Sequence, residues 1–236
     1  MAVYITSYNQ RLYLQQAIES VLGQTRKADQ IVIVDDCSQD KSQVMIETYA
    51  KRYPELFTVV FNDRNLGVST TRVRALAHVT CDWATPLDGD DLFYPEKLET
   101  EMALAISGVD IVYSNHELID AKGKQLSTWA GADENLPQGN VLKQVYGRLF
   151  PKMRLFRSEL VRMSKWREIG CYDEAINLYE DYEMRIRLCV SANVAYNNSV
   201  ASAYRVHDKG ISKVHLGRHL DALDHIFNKN EHLLNA

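Results

Sequence analysis

"QIVIVDD", Gln30 to Asp36, is a continuous apolar run that ends in two acids. It reads as a strand, and its neighbours on either side decide what kind of sheet it belongs to. Upstream, "VYIT" (Val3 to Thr6) is a second strand. Between the two, "RLYLQQAIESVLGQ" puts Leu14, Ala17, Ile18, Val21 and Leu22 on one helical face, with Gly23 as its stop. Downstream, Ser38 and Asp40 can cap a helix whose candidate core residues are Val44, Ile46 and Tyr49. "FTVVFN", "DWATPLD" and "VDIVYSN" continue the strands. "GVSTTRVRALAHV" and "YPEKLETEMALAI" continue the helices, the latter with Pro95 near its first turn. Strands alternating with helices imply an α/β fold, a mainly parallel sheet covered on both faces. In such sheets ligands bind beyond the carboxyl ends of the strands. Those ends are polar: Thr6-Ser7-Tyr8-Asn9, Asp35-Asp36, Asn62-Asp63 and Asp88-Gly89-Asp90-Asp91. Their convergence on one site is stronger evidence than any one of them.

Composition narrows the classes. The 236 residues suffice for one large domain with a real core, and 46% apolar with 25% charged residues is ordinary for a soluble globular protein. A formal net charge of -4 argues against a nucleic-acid partner. Cys37, Cys81, Cys171 and Cys189 are scattered without a CxxC pair, which predicts free thiols in a reducing compartment. No apolar run reaches the length of a membrane span, and the first residues lack the pattern of a signal peptide.

Beyond the fifth strand the character changes. Asp120 to Gln144 is polar, with "DAKGKQ" and "AGADENLPQGN", and predicts a hairpin turn followed by a mobile loop. "MRLFRSELV" returns to strand and then helix. "INLYEDYEMRIRLCV" reads as a helix and "VAYNNSVASAYRVH" as a strand or two. The tail has Leu216, Leu220, Leu223 and Phe227 at helical spacing, interrupted by Gly217. Capping the core is the preferred role of that tail helix, ahead of docking on a membrane or a partner domain.

"LDGDDLFYP" places three carboxylates, Asp88, Asp90 and Asp91, within four positions. Like charges this close invite protonation or a cation. An exposed turn or a helix N-terminus also suits such residues. An EF-hand loop does not, because Leu92 and Phe93 occupy its fifth position and its glycine position. On the cluster alone, the turn and a Mg²⁺ or Mn²⁺ site shared with a diphosphate both stay open. "VDDCS" is equally open between helix capping and contact with a nucleotide. Asp181 and Arg185, like Glu183 and Arg187, have the spacing of ordinary helical ion pairs.

Six stretches occur in order: "VYITSYNQRLYLQQAIESVLGQT", "IVIVDDCSQDKS", "NLGVSTTRVRAL", "LDGDDLFYPEKLE", "YEDYEMRIRL" and "YRVHDKGIS". Together they resemble the family 2 inverting glycosyltransferases of the GT-A fold, over Val3 to about Ser212. The resemblance implies a nucleotide-sugar donor, with UDP the expected carrier, and a divalent cation, Mn²⁺ or Mg²⁺. It implies hexosyl or hexosaminyl transfer, with inversion, to a hydroxyl of a glycan or lipid-linked acceptor. It also implies a single domain, with residues 1–115 binding the donor, 116–212 serving the acceptor and 213–236 forming the terminal helix. A cytoplasmic location is expected, peripheral at the inner face of a membrane.

Residue by residue, the resemblance implies that Tyr8 stacks on the base, with Thr6 and Ser7 on the same wall. Asp36 contacts the base or ribose and Asp88 the ribose side. Arg72 sits by the nucleotide, after the turn of Asn65 and Gly67; the asparagine expected next to it is Val73 here. Asp90 is the metal carboxylate, Asp91 a near alternative, and His207 reaches the metal or diphosphate. Glu180, Arg205 and Ser212 assist at the diphosphate or acceptor. Asp181 is the general base. The polar stretch Asp120 to Gln144 is expected to close over the site. Two other readings are weaker. A nucleotidyltransferase carries a glycine-rich basic loop where this chain has "TSYNQRLYL". A non-catalytic sugar-nucleotide or carbohydrate-binding module has no need of Asp90 and Asp181 together.

Overall fold

A computed structural model describes residues 1–131, 133–208 and 215–235. The first half alternates as the sequence predicts: β1 (Ala2–Ser7), α1 (Arg11–Leu22), β2 (Gln30–Asp35), α2 (Ser42–Arg52), β3 (Phe57–Phe61), α3 (Val68–Ala77) and β4 (Trp83–Asp88). The second half continues with β5 (Leu92–Phe93), α4 (Lys97–Leu104), β6 (Ile111–Ile119), β7 (Gln125–Thr128), α5 (Leu142–Tyr146), β8 (Leu160–Arg162), α6 (Met163–Ile169), α7 (Glu180–Cys189), β9 (Val194–Arg205) and α8 (Leu216–Asn230).

The strands form one nine-stranded sheet in the order β3-β2-β1-β4-β8-β6-β9-β5, with β7 pairing β6. Strands β3, β2, β1, β4, β6 and β9 run in one direction; the short β5, β7 and β8 run against it. The expected mainly parallel sheet is therefore present. Its apolar strands divide their side chains between two cores. Val3, Ile5, Ile31 and Ile33 face α1, α2 and α4 through Leu14, Ile18, Ile46 and Leu98. Tyr4, Val32 and Val34 face α3, α6 and α7 through Leu76, Trp166, Met184 and Ile186. Each fully buried aliphatic side chain stabilises the fold by roughly 1.5–3 kcal/mol relative to exposure. This two-sided burial is why β2 is apolar at consecutive positions.

The sheet cannot be flat. Strands β4 and β5 lie four positions apart in its order, roughly 19 Å in a flat sheet. The chain joins Asp88 to Leu92 in four steps, which reach at most about 14 Å. The sheet therefore curls, helped by register shifts between β6 and β9 at Ser114 to His116. The acidic turn sits inside the curl.

Several local expectations are corrected. Asp40 does cap α2, its Oδ1 accepting from the Ser42 amide at 3.0 Å, but Ser38 does not: its hydroxyl donates to Asp35 at 2.5 Å. Val44 is exposed rather than core, while Ile46 is buried. The stretch after Asp120 forms the expected hairpin, and the irregular segment that follows it is anchored to the core by apolar side chains. Trp129, Ala130, Leu136 and Val141 are buried, and the Trp129 indole donates to the Pro151 and Arg154 carbonyls at 3.1 and 2.9 Å. The helix expected from Ile176 begins at Glu180, because Tyr179 has φ +63°. In α8, Leu216 and Leu220 are exposed, and Ile226, Leu223 and Phe227 dock on the core. Among the described residues no helix is long and apolar enough to cross a membrane.

Candidate active site

The carboxyl ends of β1, β2 and β4 lie side by side, and backbone hydrogen bonds lock them. The Ser7 carbonyl accepts from the Asp36 amide at 2.8 Å, and the Thr6 carbonyl from the Gly89 amide at 3.0 Å. Gly89 is required by this approach: a Cβ there would lie 2.9 Å from Gln10 Oε1 and 3.0 Å from the Thr6 carbonyl. Thr6 and Ser7 are buried at the end of β1. Tyr8 is 46% exposed at the strand exit, a face available for stacking.

Asp36 is buried and already accepts three donors. These are Asn62 Nδ2 at 2.7 Å, the Leu66 amide at 2.8 Å and the Gly67 amide at 3.0 Å. It thereby holds the turn that leads into α3, which requires glycine at Gly67, where φ is +87°. Asn65 is exposed in the same turn.

Arg72, on the buried face of α3, reaches across to two acids. Its Nη2 donates to Asp88 Oδ1 at 2.6 Å and its Nη1 to Glu180 Oε1 at 2.8 Å. Beneath it lies Tyr172, whose hydroxyl meets that of Tyr4 at 2.9 Å. On α7, Asp181 pairs with Arg185 at 2.6 Å, and Arg185 continues to the buried Glu159 at 2.8 Å. The helical pair Asp181–Arg185 thus exists, as does Glu183–Arg187 at 2.7 Å. A small pocket is lined by Arg72, Asp88, Arg157, Asp181 and Arg185 together with Pro86, Ser158 and Tyr172. Sequence reasoning did not find Arg157 or Glu159; nothing in the spacing of "LFRSEL" marks them.

The acids of the turn differ in their partners. Asp90 Oδ2 meets His207 Nε2 at 2.8 Å. Asp91 Oδ1 accepts from the Arg205 amide at 2.8 Å. Burial and the neighbouring Asp88 raise the Asp90 carboxyl, with His207 opposing; burial and Asp90 push Asp91 well up, with Arg157 opposing. Asp91 is buried and Asp90 half-buried, and a cation beside them would favour the ionised form of both.

On α7, burial and Asp181 push Glu180 up to about 7 against the pull of Arg72. Asp181 is half-buried, and against the upward push of desolvation Arg185, Arg157 and Arg72 hold it well below the usual carboxylate range. The two adjacent acids are therefore driven apart, and Asp181 is the member kept ionised.

The expected diphosphate role of Arg205 finds no support in the geometry. The residue is buried, and its guanidinium donates to the Asp90, Asp120 and Ala121 carbonyls and to Gln16 Oε1, at 2.8 to 3.3 Å. It clamps the acidic turn to the hairpin after β6. Ser212 lies outside the described residues. Thus Arg72, Asp88, Asp90, Asp91, Glu180, Asp181 and His207 come together, and Tyr8, Asp36 and Asn65 sit at the adjoining exits of β1 to β3.

The chain is similar to known proteins in sequence and in fold. The model of "Glycosyl transferase family 2" matches residues 2–163. An uncharacterized glycosyltransferase of Rickettsia felis is 28% identical over 220 residues, 90% of this chain and 35% of that protein. The succinoglycan biosynthesis protein ExoO of Rhizobium meliloti is 26% identical over 233 residues, 93% of this chain and 64% of that one. The chain thus spans between about a third and two thirds of these relatives. The crystal structure of S. aureus TarS 1-349 in complex with UDP-GlcNAc superimposes with a TM-score of 0.77 at 18% identity, over 95% of this chain and 64% of that one. The fold is that of this GT-A protein.

Proposed function

The chain belongs to glycosyl transferase family 2, and we propose that it transfers a hexosyl or hexosaminyl group from a UDP-sugar, with inversion, to a hydroxyl of a glycan or lipid-linked acceptor. The observation that carries this reading is the shared pocket of Asp88 and Asp181, a donor-side and an acceptor-side carboxylate brought together from β4 and α7. The structural relative TarS has been crystallised with UDP and with UDP-GlcNAc, which favours UDP as the carrier. ExoO is named for succinoglycan biosynthesis, which favours a glycan product.

The residues fit a divalent cation. Asp90 and His207 supply a carboxylate and an imidazole at one point, with the Asp91 carboxylate next to them. A carboxylate with an imidazole suits Mn²⁺ better than Mg²⁺. Among the described residues no group of three or more protein ligands is clustered for a metal, so a cation here would be held by one or two side chains and would complete its shell with non-protein oxygens. A bound cation supplies Lewis-acid neutralisation of the departing nucleoside diphosphate.

The chain's own residues do the rest. Tyr8 stacks on the base. Asp181 accepts the proton of the acceptor hydroxyl. A carboxylate this acidic cannot remove that proton beforehand; it takes it as the new C–O bond forms and the anomeric carbon gains positive character. Arg185 keeps Asp181 ionised and fixes its orientation. Arg72 holds Asp88 and α7 in one relation, so that base and leaving group face opposite sides of the anomeric carbon, as a single inverting displacement requires. No covalent enzyme intermediate is formed.

Isothermal titration of UDP, GDP and dTDP, each with and without Mn²⁺, on wild type and Asp90→Ala tests the reading. UDP should bind, gain affinity with Mn²⁺ and lose that gain in the variant. If no nucleoside diphosphate binds under any condition, the reading is wrong.

A further inference from the structure

We propose that Arg157 is the phosphate-binding cation of this site: counter-ion to Asp88 and Asp91 in the nucleotide-free chain, and ligand of the donor's diphosphate when a nucleotide sugar is bound. The proposal rests on the nucleotide-sugar reading above.

Three arginines line the pocket, and two are held in close ion pairs. Arg72 is tied to Asp88 and Glu180, and Arg185 to Asp181 and Glu159, all at 2.6 to 2.8 Å. Arg157 is different. Its Nη1 lies 3.9 Å from Asp88 Oδ2 and 3.9 Å from Asp91 Oδ2, beyond hydrogen-bond reach. Its side chain makes no hydrogen bond among the described residues and is 31% exposed. The guanidinium carbon lies 3.7 Å from the centre of the Tyr204 ring. Stacking of that kind covers one face of the group and leaves its N–H edges available.

The backbone around Arg157 is held from both sides. Phe156 is buried, with its ring 4.4 Å from that of Tyr113. Ser158 has φ +51°, a conformation that a non-glycine residue keeps only when its surroundings impose it. Here the Ser158 carbonyl accepts from the buried Lys97 Nζ at 2.7 Å and from Thr85 Oγ1 at 2.8 Å. Glu159 is anchored to Arg185. A strained residue, a buried lysine and a buried ion pair thus fix the segment that aims Arg157 at the acids.

An ion contact of 3.9 Å without hydrogen bonds is readily exchanged, whereas a phosphate offers a guanidinium two parallel, charge-assisted hydrogen bonds. A cation at Asp90 and Asp91 would also neutralise the charge that holds Arg157 in place. Its donors would then be available to phosphate oxygens.

Titration of UDP and of uridine into wild type, Arg157→Ala and Arg157→Lys tests this. Arg157→Ala should bind UDP between about tenfold and a hundredfold more weakly. Uridine, which has no phosphate, should bind within twofold of wild type. Arg157→Lys should recover part of the loss, since an ammonium keeps the charge but not the fork. Equal UDP affinity in wild type and Arg157→Ala overturns the assignment of Arg157 alone. So does an equal loss of UDP and uridine in both variants, which marks a role in shaping the pocket and not in holding phosphate. Failure of wild type to bind UDP overturns the nucleotide-sugar reading and this proposal with it.

Discussion

Asp88 and Glu180 are held by one guanidinium: Arg72 donates to Asp88 at 2.6 Å and to Glu180 at 2.8 Å. The first acid closes β4 and the second opens α7. Through Arg72 the donor side of the site and the helix that bears Asp181 are set in one geometry, with no direct contact between the two acids.

Arg72→Met should therefore destabilise the chain more than an ordinary surface change. It leaves Glu180 buried without its partner, a loss of about 3–5 kcal/mol for a buried pair. At roughly 2–4 °C per kcal/mol for a chain of this size, the thermal midpoint should fall by about 10 °C. Arg72→Lys, which cannot span both acids, should fall in between. A midpoint within two or three degrees of wild type in Arg72→Met would show that the bridge contributes little.

Asp181→Asn should abolish most turnover while leaving donor binding intact. A positioned base contributes about 10²–10⁴ in rate, so kcat should drop by at least a hundredfold. UDP affinity by titration should stay within about twofold. Retained turnover in Asp181→Asn would move the proton acceptor elsewhere, with Glu180 the neighbouring candidate.

Stability should respond to pH through Glu180. Its folded pKa is raised from 4.5 to about 7, chiefly by burial. Its contribution to stability is thus fully present below about pH 4.5 and is lost as the pH rises through 7. Glu180→Gln cannot ionise, so its thermal midpoint relative to wild type should climb between pH 5 and pH 8. A difference that stays flat or falls across that range would mean that Arg72 already holds Glu180 as an ordinary carboxylate. Asp181 shifts the other way, so its share of stability persists at neutral pH and is lost only in acid.

Arg205→Met separates a clamp from a ligand. Its guanidinium donors are engaged with Gln16 and three backbone carbonyls, so loss of the side chain should lower the thermal midpoint by several degrees. Several unmade buried hydrogen bonds, each about 1–3 kcal/mol, set that scale. Intrinsic UDP affinity of the folded variant at low temperature should change less than in Arg157→Ala. The reverse ranking would return Arg205 to the diphosphate.

Much of this protein is written locally in its sequence. Apolar runs at β1 and β2, the helical faces of α1 and α3, and the acids at strand exits all follow from side-chain periodicity and turn chemistry between near neighbours. The motif order identifies the family and marks Arg72, Asp88, Asp90, Glu180, Asp181 and His207, which the fold brings together. Tertiary structure alone decided how these charges are shared. Arg72 serves two acids, Arg205 is consumed as a clamp, Arg157 stands open beside Asp88 and Asp91, and Trp129 turns a polar-looking stretch into core. The physical reason is that an ion pair or a buried ring is fixed by the orientation and desolvation of groups far apart in the chain. Those quantities exist only after the sheet has curled and brought β4, β9 and α7 together.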